Sequence, residues 1–223
     1  MGPSVRFRLA SASPRRSELL ALTGWKAIIE PVEVDEQPLP GEGARLLARR
    51  LASAKASRAA ENTAASGMIL AADTIVADED QLLGKPADPD EAKQMLLALR
   101  GRNHRVITAI VLIEPQDHQE IVEMCETLVP MRNYDMEEIE AYIASGSPLD
   151  KAGAYGIQDG GFQPVASESL EGCYTNVMGL PLCHLVRAMR RLGHHPTVDV
   201  PAACQAHTGF VCPVFRQILG EEA

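Results

Sequence analysis

Residues 68–77, MILAADTIVA, form an apolar run broken only by Asp73 and Thr74. The run is short for a helix, and its length and aliphatic content predict a buried strand. Asp73 ends its MILAAD portion, although the following Ile75-Val76 suggest that the strand continues. Burial raises a carboxylate's pKa toward the range useful to a general base, and open α/β sheets place ligands at strand C-termini. An Asp that caps the turn after the strand is the alternative.

The neighbouring segments alternate in type. Residues 5–11, VRFRLAS, set Val5, Phe7 and Leu9 against Arg6 and Arg8, a half-buried strand. Ser13 then stands as N-cap, Pro14 at the first helical position and Gly24 at the stop. Residues 31–43 read as a Pro-, Gly- and acid-rich loop, and a helix is expected over roughly 44–65. Asp88-Pro89-Asp90-Glu91 opens another helix with a capping box, ending at Gly101. Residues 105–113 are a β-branched strand, 114–119 a turn and 120–131 its partner strand. Asp135, with Glu138 three residues on, caps a helix through Ser145. Residues 146–179 are Gly-rich and irregular. A last helix is expected at 181–192, stopped by Gly193, with a tail from 194.

This order predicts an α/β fold: a mixed twisted sheet flanked by helices, with a central cleft. The 223 residues, 46% hydrophobic and 23% charged, fit a globular chain that buries roughly 70% of its surface. We expect residues 1–193 to form the functional domain and 194–223 a C-terminal tail. The net charge of −9 argues against gripping duplex nucleic acid. No apolar run approaches the ~20 residues of a membrane span. No signal-like apolar segment opens the sequence, so a cytoplasmic location is expected. Five cysteines, an odd number without any C-x-x-C pair, point to reduced thiols rather than zinc or disulfides.

Arg15 and Arg16 fall in the first turn of a helix, where the dipole is already positive and each should cost a few tenths of a kcal/mol. By that logic, removing Arg16 should slightly stabilise the free protein. With the free N–H groups and the Ser13 hydroxyl, they also suit a polyphosphate. Two solvated surface arginines are the alternative. Lys55 flanks the apolar stripe of its helix, where it either snorkels or reaches an anion. Lys85, in Gly84-Lys85-Pro86, sits on a stiff turn close in sequence to Asp73. P-loop, G-x-G-x-x-G, H-E-x-x-H and G-x-S-x-G motifs are all absent. His194-His195 are expected to be exposed.

Taken in order, LASASPRRSELL (9–20), VDE (34–36), ASAKA (52–56), AADTIV (71–76), LGKP (83–86), IEAYIASGSPLDKAGAYGIQ (139–158) and EGCYTNVMGLPL (171–182) resemble the Maf family of nucleoside triphosphate pyrophosphatases. The resemblance implies an inosine triphosphate pyrophosphatase-like fold with an elongated cleft, hydrolysing a nucleoside triphosphate to monophosphate and pyrophosphate. It places Asp73 as proton acceptor and Ser13, Arg15, Arg16, Lys55 and Lys85 around the phosphates. Arg15, Thr74 and Gln158 match the positions that separate base preferences, in the combination of members acting on dTTP and UTP. It implies Mg²⁺ or Mn²⁺, with Glu36 and Asp73 as candidate ligands, and leaves a homodimer open. A regulator of cell division, or the same activity on modified purine nucleotides, are the alternatives. The chain departs from the family's usual pattern at Ser147, where Glu is common, at Cys173, and at Asp159-Gly160-Gly161 after Gln158.

Overall fold

The apolar run is a strand, β3 (Met68–Asp78), and it is longer than the run itself. Asp73 is its sixth residue of eleven, so it lies at the middle of the strand rather than at the end. The structure, a computed structural model, describes residues 5–114 and 119–221. The turn expected at 114–119 falls mostly outside them.

The chain runs β1 (Arg6–Leu9), α1 (Pro14–Ala21), β2 (Lys26–Ile29), α2 (Ala44–Ala60), β3, β4 (Gln81–Leu83), α3 (Pro89–Leu99), β5 (Asn103–Glu114), β6 (Gln119–Pro130) and α4 (Met136–Ala144). Three short 3-10 turns and α5 (Tyr174–Val177) occupy the Gly-rich region, followed by α6 (Leu182–Arg191). Asp135 and Glu138 form a reciprocal capping box, whereas at α3 Asp88 accepts from the Glu91 N–H but the Glu91 carboxylate takes the Ala87 N–H, so the box expected there is only half made. β2 is not anticipated from the sequence, because its four residues KAII are all exposed and do not alternate.

The expected mixed α/β architecture is present, as a six-stranded sheet in the order β2-β1-β3-β5-β6 with β4 added to β3. β1 is parallel to β2 and β3, and β3, β5 and β6 are antiparallel. β5 occupies one edge of β3 from Ile69 to Ala77. On the other edge β1 pairs only with Met68–Leu70. β4 pairs with Val76–Asp78, and since Val76 and Ala77 already face β5, it must share β1's edge. Residues 71–75 therefore have an open edge between the end of β1 and the start of β4. By strand alternation, the backbone groups of Ala72 and Thr74 point into that gap.

Alternation also divides the side chains between two cores. Ile69, Ala71 and Ala77 pack with Ile107, Ala109 and Val111 against α2. Leu70, Ala72 and Val76 face the larger core built from α1, α3, α4 and α6. α2 meets the sheet through Ala44, Ala48, Ala52, Ala56 and Ala59, small residues that let a helix lie close to the sheet.

Three expectations change. Arg8 does not face solvent from a half-buried strand: it is 2% exposed, because β1 is an inner strand lying beneath the end of α2. Its guanidinium is satisfied by both carboxylate oxygens of Glu30 and by the Ala59 carbonyl at 2.6 Å, near the negative end of α2. The helix expected over 44–65 stops at Ala60, and residues 61–65 turn, with the Thr63 N–H reaching the Glu61 carbonyl. The helix at 181–192 is not the last, because α7 (Val200–Thr208) and α8 (Phe215–Leu219) follow. Asp199 caps α7 through the Ala202 N–H, with Pro201 in its first turn and Gly209 ending it in the left-handed conformation. Val200 is fully buried, and Cys204, Phe210 and Leu219 pack on the main core. Arg187 and Arg190 of α6 donate to the carbonyls of Ile218 and Leu219.

The alanine stripe of α2 leaves no room for a larger residue. Ala52→Leu should destabilise the fold by about 1–3 kcal/mol through overpacking against β3 and β5. Urea unfolding followed by circular dichroism measures this, with an unchanged midpoint as the contrary result.

Candidate active site

Asp73 projects from the open stretch of β3 toward α2 and is only 6% exposed. Lys55 lies among the small residues of α2, which bring its stem against the sheet. Its Nζ donates to Asp73 Oδ1 at 2.5 Å and meets Glu36 Oε1, from the loop before α2, at 2.6 Å. Lys55 is thus paired rather than snorkelling. Burial pushes the Asp73 carboxyl above its usual range, with Lys55 and Arg16 pulling it down and Glu36 pushing it up.

Thr74 points to the opposite face. Its hydroxyl receives Arg16 Nη2 at 3.1 Å and lies 2.9 Å from Thr108 Oγ1. Arg16 also donates from Nε to the Gly179 carbonyl at 2.9 Å and from Nη1 to Ser11 Oγ at 3.2 Å. Burial lowers the Arg16 pKa, and Asp73 opposes that shift. Gly179 has φ +104°, and an added Cβ would sit 3.3 Å from Thr74 Oγ1 and 3.4 Å from Arg16 Nε. Only glycine lets this carbonyl approach so closely.

Ser13 occupies the N-cap of α1, but its side chain makes no cap bond, and no acidic residue stands in the first turn. The first N–H groups of α1 therefore remain without an intrahelical acceptor. Arg16 reaches Thr74 beside this gap, and its cationic side chain together with the free N–H groups of α1 is an arrangement suited to an anion.

Residues 6–192 match the family described as Maf-like protein. The chain belongs to the Maf-like protein family. Among its relatives, the dTTP/UTP pyrophosphatase of Dehalococcoides mccartyi (strain ATCC BAA-2266 / KCTC 15142 / 195) is 45% identical over 188 residues, 84% of this chain and 83% of that one. The dTTP/UTP pyrophosphatase of Geobacter sp. (strain M21) is 45% identical over 185 residues, 83% of this chain and 94% of the other. A HAM1 protein from Coxiella burnetii is similar in structure at a TM-score of 0.40 and 18% identity, covering 58% of this chain and 74% of that one.

Of the residues that the Maf resemblance marks, five form two clusters, and Arg15, Lys85 and Gln158 stand apart from them. Asp73, Lys55 and Glu36 form one ionic cluster on the α2 side, and Arg16 and Thr74 meet on the other. Arg15 is half-buried and stands near Asp150, whose carboxyl it helps to hold low; there burial pushes up and Lys151 outweighs it. Lys85 is exposed and makes no hydrogen bond or ion pair among the described residues. Its turn is tied down by the Gly153 N–H on the Gly84 carbonyl at 3.0 Å. Gln158 is exposed and lines a cavity of about 400 Å³ away from the Asp73 cluster. A larger cavity, about 670 Å³ at the start of α2, includes none of these residues.

Sequence reasoning missed several supporting groups. Ser11, Thr108 and Gly179 orient Arg16 and Thr74, and Asn176 ties α5 to the sheet through the Val106 carbonyl at 2.9 Å. The two departures at Ser147 and Asp159 meet each other: Asp159 Oδ2 accepts from Ser147 Oγ at 3.0 Å, with Tyr142 hydroxyl also donating and Lys151 Nζ at 3.5 Å. Asp159 thereby anchors the turn that carries Gln158.

Arg16 also overturns the dipole expectation. Three of its five N–H donors make tertiary contacts, so Arg16→Ala should destabilise the protein, by about 1–3 kcal/mol, rather than stabilise it. A melting temperature at or above wild type in the variant would count against this bridge.

Proposed function

We propose that this chain hydrolyses dTTP and UTP to the nucleoside monophosphate and pyrophosphate. The observation that carries the reading is Asp73, a buried carboxylate held by Lys55 at an open edge of the central strand, with Arg16 beside it. The names of its relatives and the shared motifs support the substrate class.

In this reading the triphosphate lies across the gap beside β3. Arg15, Arg16, Lys85 and the first N–H groups of α1 neutralise its oxygens, while Ser13 adds a hydroxyl donor. Asp73 takes a proton from water as the water oxygen bonds to the α-phosphorus. The bond from the α-phosphorus to the α,β-bridging oxygen breaks, and pyrophosphate leaves with that oxygen. Positioning and charge stabilisation carry such a transfer, since its transition state spreads charge over the phosphoryl oxygens.

Asp73 and Glu36 also fit a divalent cation, because Mg²⁺ is commonly held by one or two carboxylates together with substrate phosphates. No group of three His, Cys, Asp or Glu suited to a metal occurs among the described residues. When bound, Mg²⁺ or Mn²⁺ would supply charge neutralisation at the phosphates. No helix among the described residues is long and apolar enough to cross a membrane, and a small-molecule substrate is the partner this site suits.

Pyrophosphate release should be measured across UTP, dTTP, CTP, ATP, GTP and modified purine triphosphates, with and without Mn²⁺. UTP and dTTP should lead, and a preference for the purines would replace this substrate assignment. Gln158, whose amide can pair with the N3–H and O4 of uracil or thymine, should favour UTP over CTP about tenfold. Gln158→Ala should erode that ratio.

Asp73 must be ionised to accept a proton, and its pKa is raised. kcat/KM should therefore climb with pH through a value above the ordinary aspartate range near 3.9. Asp73→Asn should cut kcat by about 10²–10⁴ and abolish that acid limb. Wild-type-like turnover in the variant would remove Asp73 from the mechanism.

A further inference from the structure

We propose that the segment after the family-matched residues supplies one wall of the nucleobase pocket, and that Phe210 is a specificity-determining residue for the base. The proposal rests on the reading above, in which Gln158 meets the base.

The cavity at Gln158 has two sides. One comes from the Maf-like region, with Ile157, Gln158, Asp159 and Tyr174. The other comes from residues 207–210, beyond the family match that ends at residue 192. At about 400 Å³ the space is of the size that small-molecule sites use. It joins flat aromatic surface to an amide that can donate and accept, the combination by which a base is stacked and read at its edge.

Phe210 is held in place from several directions. Its ring lies 5.3 Å from that of Tyr174, tilted by 32°. The Tyr174 hydroxyl donates to the Ile157 carbonyl at 3.2 Å, one residue before Gln158. The left-handed Gly209 ends α7 and turns the chain toward Tyr174. The Phe210 N–H donates to Thr208 Oγ1 and the Cys212 N–H to Gln205 Oε1, which fixes the loop on its helix. Phe210 remains half-buried, so part of it is left to meet a ligand.

The same contacts link this pocket to the phosphate side. Tyr174 begins α5, a single turn about 6 Å long at 1.5 Å per residue. Gly179, just beyond, receives Arg16 and abuts Thr74, the neighbour of Asp73. The short α5 thus ties the frame of this pocket, through Tyr174, to the Gly179 carbonyl that holds Arg16.

The test compares wild type, Phe210→Ala and Phe210→Leu by steady-state kinetics with UTP, dTTP and CTP, and by inhibition with UMP and with pyrophosphate. Leucine keeps an apolar anchor on Tyr174 but lacks the planar face, which guards against a variant that fails to fold. Both variants should raise KM for UTP about tenfold, narrow the UTP-over-CTP ratio and weaken UMP inhibition. kcat and pyrophosphate inhibition should stay within about twofold, since the phosphate side is untouched. Unchanged KM, base ratio and UMP inhibition in folded Phe210→Leu would overturn the proposal while leaving the activity standing. A fall in kcat with KM unchanged would also overturn it. Wild type without hydrolysis of UTP or dTTP would overturn the function itself.

Discussion

A carboxyl group in the middle of a buried strand stays ionised only if a positive charge is brought to it. The Lys55–Asp73 pair meets that need, and much of the surrounding architecture follows from it. Removing one member of such a pair typically costs about 3–5 kcal/mol, because the other is left buried and uncompensated. Lys55 reaches Asp73 because α2 lies close to the sheet on alanines. Glu36 adds a second carboxylate to the same ammonium from a loop with no regular structure. Burial outweighs the lysine, and the Asp73 carboxyl is held up, where a proton acceptor is useful.

Strand alternation gives β3 two roles. Asp73 meets an ionic cluster on the α2 face, while Thr74, one residue on, belongs to a hydrogen-bonded network on the opposite face with Arg16, Thr108 and Gly179. The two faces communicate where β1 has ended and β4 has not begun. A β1 that continued beside β3 past residue 70 would close that gap with backbone pairing. The short first strand and the tight turn into α1 thus make the opening and deliver Arg16 to its rim.

Further from the chemistry, α7 and α8 extend the main core and are fastened to α6 by arginine-to-carbonyl bonds. The Gly-rich region is held with comparable care. Asp159 takes bonds from Tyr142, Ser147 and Lys151, so the turn bearing Gln158 is fixed by side chains rather than by a strand or helix.

The local pattern determined most of the fold's inventory. β3, β5 and β6 were legible from aliphatic runs, and α1, α3 and α4 from Pro, capping and stop residues, because those signals act within a few residues of chain. The motif order marked Asp73, Lys55, Arg16 and Gln158. β2, with its exposed residues, and α7, whose Asp199, Pro201 and Gly209 signals lie in a weakly periodic stretch, were not recognised. Tertiary structure alone decided that Arg8 is buried, that Lys55 is an ion-pair partner, that Arg16 bridges to Gly179, and that Phe210 lies on Tyr174. Each joins residues far apart in the chain. No local propensity encodes such pairings, because they exist only once the sheet has set which strand edges stay open and which faces are covered.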